Sequence, residues 1–182
     1  MPLTRRHTNA NSAIRTARDV SSRSANREYA QPMAIKGEYE PSPAGWVRDQ
    51  VEEYEASGGV RANTLRETGL PIIVMTTVGH KTGKVRKVPL MRVEHDGEYA
   101  IVASKGGAPD HPVWYHNLSA DPHVTIQDGP APFEAGVRLL SGDERAVWWH
   151  RVVAAYAPYA AYQQKTDREI PLFLATATSD SS

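Results

Sequence analysis

The stretch GHKTGKVRKVPL, Gly79 to Leu90, sets a lysine and a threonine between two glycines and adds Lys84, Arg86 and Lys87 before Pro89. Cationic side chains on a glycine-permissive loop suit a phosphate or carboxylate, through charge-assisted hydrogen bonds and backbone N–H groups. The stretch is not a nucleotide P-loop: G-x-x-x-x-G-K-[ST] is absent, and the segment leads into an extended run where a P-loop needs a helix N-terminus. Two readings remain for these residues alone, an anion site and a solvated basic turn.

A second group is the tyrosine series Tyr156, Tyr159 and Tyr162 in AYAPYAAYQQKTDREIP, where Pro158 interrupts the helix. Phenols titrate near pH 10, so at neutral pH they donate a hydrogen bond or a proton to a developing oxyanion while their rings stack on a flat substrate. Amphipathic packing is the alternative for the same spacing. His111, His116 and His123 fit no common zinc spacing. No G-x-S-x-G elbow marks a hydrolase serine. The chain has no cysteine, which excludes a thiolate nucleophile and a disulfide framework and makes a reducing cytoplasm the expected setting.

The elements that position these residues follow from periodicity. PSPAGWVRDQVEEYEASGG predicts a helix with Ser42 as N-cap, Pro43 at its first position and Gly58 as its stop, burying Val47, Val51 and Tyr54. LPIIVMTT, continuous and β-branched, predicts a buried strand ending before Gly79. Val85 to Glu94 and EYAIVAS form a hairpin about HDG. A short helix capped by Asp110 follows in DHPVWYHNLSADP. HVTIQ and PFEAGVRLL form a second hairpin about DGP, with Phe133, Ala135, Val137 and Leu139 on one buried face. Ser141 and Glu144 predict a capping box for a helix carrying Trp149, Val152, Val153 and Tyr156, and IPLFLAT is a final strand. Hairpins with helices before, between and after them make an antiparallel α+β domain and a small barrel.

The 182 residues suit one domain with tails: a basic, disordered segment 1–32, a domain at 33–176, and a flexible end at 177–182. Met33 is an alternative start, and the basic arm an alternative contact for an anionic partner. Lys plus Arg equal Asp plus Glu at 21 each, so no field for nucleic acid spans the whole protein. No apolar run reaches the roughly 20 residues a bilayer span needs.

In order, TTVGHKTGKVRKVPLMRVEHDGEYAIVASKGGAPDHPVWYHNLSADPHV and YAPYAAYQQKTDREIP closely resemble the deazaflavin-dependent nitroreductase family of mycobacteria and related actinobacteria, and the resemblance extends from Gly37 to Leu174. It implies a split β-barrel with flanking helices, of the FMN-binding kind, and coenzyme F420, whose reduced form donates hydride. By the motif match, Lys81, Thr82 and Arg86 hold the phosphate and glutamate tail. His80 stands where many relatives carry arginine, so that contact is weaker. Pro89 walls the deazaflavin, and Ser104, Lys105 and Gly106 line its reactive region. Trp114 and Asn117 make further contacts, and Met91, Gly107 and Val113 complete the expected cofactor set. Tyr156, Tyr159 and Tyr162 place and protonate the acceptor, which Ser104 orients, and no metal is required. The implied acceptors are quinone-like, nitroaromatic or activated-alkene compounds, reached in the cytoplasm or at the inner face of the membrane. An FMN-dependent oxidoreductase of the same barrel and a non-catalytic deazaflavin carrier are the competing readings.

Overall fold

Strand β1 (Ile72–Val78) is apolar at every early position because both of its faces are covered: Ile72 and Val74 enter one core, Ile73 and Met75 the other. It pairs antiparallel with β2 (Val85–Met91) on one side and β5 (His123–Gln127) on the other. With β3 (Glu94–His95), β4 (Glu98–Val102), β6 (Pro132–Leu139) and β7 (Leu172–Ala177), the sheet runs β2-β1-β5-β6-β7-β4-β3. Strand β4 approaches β2 without a ladder, which leaves the barrel split. The computed structural model describes residues 35–178; the expected basic tail and the alternative start at Met33 lie outside the described residues. At the other end Ala177 closes β7, and Thr178 N–H donates to Glu134 O at 2.9 Å, so pairing continues past the expected boundary at 176.

Helices α1 (Gly45–Ala56), α3 (Gly142–Ala155) and α4 (Pro158–Gln164) cover the first core with Val51, Tyr54, Trp148, Val152 and Tyr159. Helix α2 (Val113–Ala120) sends Leu118 into the second, among Ile101, Val124, Ile126 and Phe173. Each fully buried aliphatic side chain of this kind contributes about 1.5–3 kcal/mol. Tyr54 fastens α1 to the β5–β6 turn: its hydroxyl donates to Gln127 O at 3.3 Å and accepts from Gly129 N–H at 2.9 Å. The β3–β4 turn is Asp96–Gly97, both at positive φ (52° and 80°), as a two-residue hairpin requires.

Four local expectations are corrected. Helix α1 starts at Gly45, because the Ser42 hydroxyl accepts from Ala44 N–H at 3.2 Å and closes a turn there. Helix α2 starts after Pro112 with no side-chain cap, leaving Asp110 outside. No capping box forms at Ser141, since the Glu144 carboxylate takes both terminal nitrogens of the Arg138 guanidinium at 2.8 and 2.5 Å. On β6 Leu139 is exposed and Glu134 is buried, held by His123 and Thr125 at 2.7 Å each.

Strand β2 is an edge. Val85 N–H donates to Glu38 O at 2.9 Å and Val85 O accepts from Glu40 N–H at 3.0 Å, so a short strap covers the start of that edge. By the period of two, Lys87 and Pro89 direct their backbone groups the same way, and Pro89, which has no N–H to leave unpaired, tolerates that position.

Candidate functional site

The loop between β1 and β2 is closed by its own backbone. Gly79 N–H donates to Lys84 O at 2.8 Å, and Thr82 and Gly83 N–H donate to Gly79 O at 3.2 and 2.8 Å. Gly79 is closely approached: a Cβ there would lie 2.9 Å from Thr82 Oγ1 and 3.3 Å from Lys84 O, so the loop would have to shift to admit one. His80 is tied to α2: its N–H and its Nδ1 both meet Asn117 Oδ1, at 3.1 and 3.0 Å. An amide oxygen only accepts, so Nδ1 carries the proton. Asn117 Nδ2 donates to Thr77 Oγ1 at 3.2 Å, which makes this buried amide a strut between α2 and β1. With these N–H groups taken, the loop offers an anion its side chains rather than a backbone nest.

The cations are not equally available. Lys84 pairs with Glu38 at 3.1 Å, Arg86 with Glu40, and Lys87 with Glu55 at 2.6 Å. Three carboxylates from the strap and α1 thus lie on three of the loop's cations. Exposed Lys81 has no ion-pair partner among the described residues.

Beside the loop, along β2, opens a cleft of about 510 Å³. Its lining combines cationic Lys81, Arg86 and Lys87 with apolar Pro43, Val47, Val88, Val113 and Trp114, and Glu40, His80, Thr82 and Asn117 also face it. Seven of the expected cofactor residues therefore meet in one place: His80, Lys81, Thr82, Arg86, Val113, Trp114 and Asn117. Pro89 and Met91 do not line the cleft; Met91 is buried in the first core.

The remaining expected residues form a second group. Ser104 is buried, and Lys105, Gly106 and Gly107 after it all have positive φ, at 46°, 66° and 80°. Gly107 lies against α4 so closely that a Cβ would meet Tyr162 O at 2.5 Å. The Tyr156 and Tyr162 hydroxyls are 3.3 Å apart, and that hydrogen bond, with burial, raises the Tyr156 phenol above its ordinary pKa. Tyr159 is buried beside both rings, and burial raises its phenol above the ordinary value as well. A chain of rings leads away from the cleft, with His116 5.8 Å from His80 and 6.4 Å from His111, which stacks on Tyr115 at 4.0 Å.

Sequence reasoning passed over Arg168. Its guanidinium donates to the carbonyls of Ala108 at 2.9 Å, Ala103 at 3.2 Å and Ser104 at 2.8 Å. The sole sequence signal was its place inside the DREIP motif. Glu38 and Glu40 were missed as well, since nothing local announces a pairing across 46 positions.

The fold is a split β-barrel whose cleft combines cationic and apolar side chains. A family model described as F420H2-dependent quinone reductase matches residues 46–177, and the chain belongs to that family. It is an oxidoreductase, and reduced coenzyme F420 is its cofactor. An F420H2-dependent quinone reductase of Mycobacterium tuberculosis is 38% identical over 109 residues, 58% of this chain and 73% of that protein. A solved F420-H2 dependent reductase is 56% identical with a TM-score of 0.55, over 58% of this chain and 93% of that one. Another solved structure, described as a domain-swapped dimer, is 51% identical with a TM-score of 0.58, over 74% of this chain and 99% of that one.

Proposed function

We propose that this chain passes hydride from reduced coenzyme F420 to a quinone-like acceptor, with nitroaromatic and activated-alkene compounds as further acceptors. The observation that carries this reading is the cleft along β2, apolar over Val88, Val113 and Trp114 and cationic at Lys81 and Arg86, which fits a flat ring with an anionic extension. When bound, the cofactor supplies the hydride. Lys81, Thr82 and Arg86 would hold its phosphate and glutamate tail, and Trp114 and Val113 would exclude water from the ring. Ser104 and the 105–107 turn would orient the reacting region. Tyr156, kept protonated by its hydrogen bond with Tyr162 and by burial, would supply the proton at a phenol oxygen, with the Tyr162 hydroxyl beside it. The proposed setting is cytoplasmic, with the inner face of the membrane as the source of a lipophilic quinone; among the described residues no helix is long and apolar enough to cross a membrane.

Adding oxidised coenzyme F420 and FMN in separate fluorescence titrations tests the cofactor. Tight FMN binding with no deazaflavin binding overturns the reading. Reoxidation of the reduced cofactor by a menaquinone analogue tests the chemistry, because a carrier binds without acceptor-dependent turnover.

Three substitutions refine the site. Glu40 competes for Arg86 with any anionic ligand, so Glu40→Gln is expected to tighten cofactor binding by about two- to fivefold, the scale of a part-exposed ion pair. Unchanged or weaker binding at low salt would remove Glu40 from that role. The Tyr159 hydroxyl makes no hydrogen bond among the described residues, so Tyr159→Phe should leave the acceptor-dependent rate within about twofold. Tyr162→Phe, which deletes one half of the hydroxyl pair, should lower it by about tenfold or more. The reverse order of effects would shift the proton donor to Tyr159.

A further inference from the structure

Three consecutive left-handed residues, Lys105, Gly106 and Gly107, make an unusual turn, and Lys105 carries a side chain in a conformation that L residues rarely adopt. Such a turn persists only where its surroundings over-determine it. On one side it rests against Tyr162. On the other, Arg168 reaches carbonyls at both ends, Ala103 and Ser104 entering the turn and Ala108 leaving it. The nitrogens Nε, Nη1 and Nη2 are all engaged, a geometry that the planar guanidinium matches and a lysine ammonium does not.

Arg168 is itself braced. Gln163 Nε2 donates to Arg168 O at 2.8 Å, and Ile170 N–H donates to Gln163 Oε1 at 2.8 Å, which fixes the segment to α4. No carboxylate pairs with the guanidinium among the described residues. Its fourth contact is His111 Nδ1 at 3.2 Å. An arginine only donates, so Nδ1 accepts there and the imidazole is neutral with its proton on Nε2. The groups facing His111 are Arg168, the Tyr115 ring, His116 and Asp110.

We propose that Arg168 is a positioning residue for hydride transfer: it clamps the 104–108 turn onto α4, and neutral His111 completes the clamp. This rests on the deazaflavin reading for its functional consequence but not for the clamp. Burial first, then the Arg168 and His116 charges, hold His111 below its ordinary pKa. The acceptor is therefore present above that lowered value, and acidification replaces it with a second cation facing the guanidinium.

The test begins without cofactor, on the full chain. Gly107 N–H donates to Ser104 O at 2.9 Å and Ala108 N–H to Lys105 O at 3.2 Å, so both report the turn by amide exchange. In Arg168→Lys their exchange is expected to quicken about tenfold or more while Met75 in β1 is unchanged. In wild-type protein the same protection is expected to fall as His111 protonates, and in Arg168→Gln the His111 imidazole should titrate at higher pH by NMR. With reduced coenzyme F420 and a menaquinone analogue, single-turnover reoxidation in Arg168→Lys should slow about 10- to 100-fold with cofactor Kd within about threefold, as misplacement of reacting groups predicts. Unchanged amide exchange overturns the clamp. A reoxidation rate within twofold of wild type, or losses of rate and cofactor affinity in equal measure, overturns the positioning role. Should wild-type protein bind no deazaflavin, the functional reading fails alone, and exchange and titration still decide the clamp.

Discussion

Lys81→Ala is expected to weaken coenzyme F420 binding by about 10- to 100-fold, the loss that follows when a charge-assisted hydrogen bond worth about 1.5–3 kcal/mol is removed. The other loop cations already face carboxylates: Glu38 on Lys84, Glu40 on Arg86 and Glu55 on Lys87. Lys81 alone reaches the cleft with its charge unopposed among the described residues, so an anionic tail gains most there. Arg86→Ala should cost less, because that guanidinium must first leave Glu40. Titration of the two variants at low and moderate salt separates the cases, and the Lys81 effect should shrink as salt rises. Equal affinities for wild type and Lys81→Ala at low salt would remove the loop from cofactor binding.

Gly107→Ala should be among the most damaging single-methyl changes in the protein. At φ 80° an alanine pays about 1–2 kcal/mol for the left-handed backbone. Its Cβ would also lie 2.5 Å from Tyr162 O and 3.0 Å from Tyr162 Cα, neither of which is a flexible side-chain end. Overpacking of that kind adds about 1–3 kcal/mol. The sum, about 2–5 kcal/mol, corresponds to a fall in Tm of roughly 5–15 °C for a domain of this size. Gly106→Ala is the internal control. It shares the left-handed backbone at φ 66°, yet nothing lies within 4 Å of its Cβ, so it should show the backbone cost alone. Similar melting temperatures for the two variants would mean that the turn and α4 are not in such close contact.

Local periodicity made much of the fold legible. The apolar run before Gly79 became β1 because both its faces are buried, and Pro158 opened α4 because a proline fits the first helical turn. What local reading missed was competition between partners. Ser42 and Glu144 carry the signatures of caps, but a nearer backbone N–H and a better-placed guanidinium claim them. Leu139 continues the alternation of β6 and is nevertheless exposed, because alternation says which residues share a face and not how far along the strand that face stays covered. At the site, the residue types around Gly79 and in HPVWYHNL were readable and meet in one cleft. The carboxylates that oppose three of the cations, and the guanidinium behind the 104–108 turn, join segments 32 to 65 positions apart, a relation only folding reveals.

Pro89 has a further consequence. An uncovered strand edge is a template on which another chain can add a strand, with the hazard of aggregation, and β2 lies at the edge of this sheet beside the cleft. The strap occupies that template at Val85, and two pairing positions farther on Pro89 removes a donor that an incoming strand would need. A continuous ladder cannot form across both, so strand addition along this edge is interrupted while the rim of the cleft stays open to a small molecule.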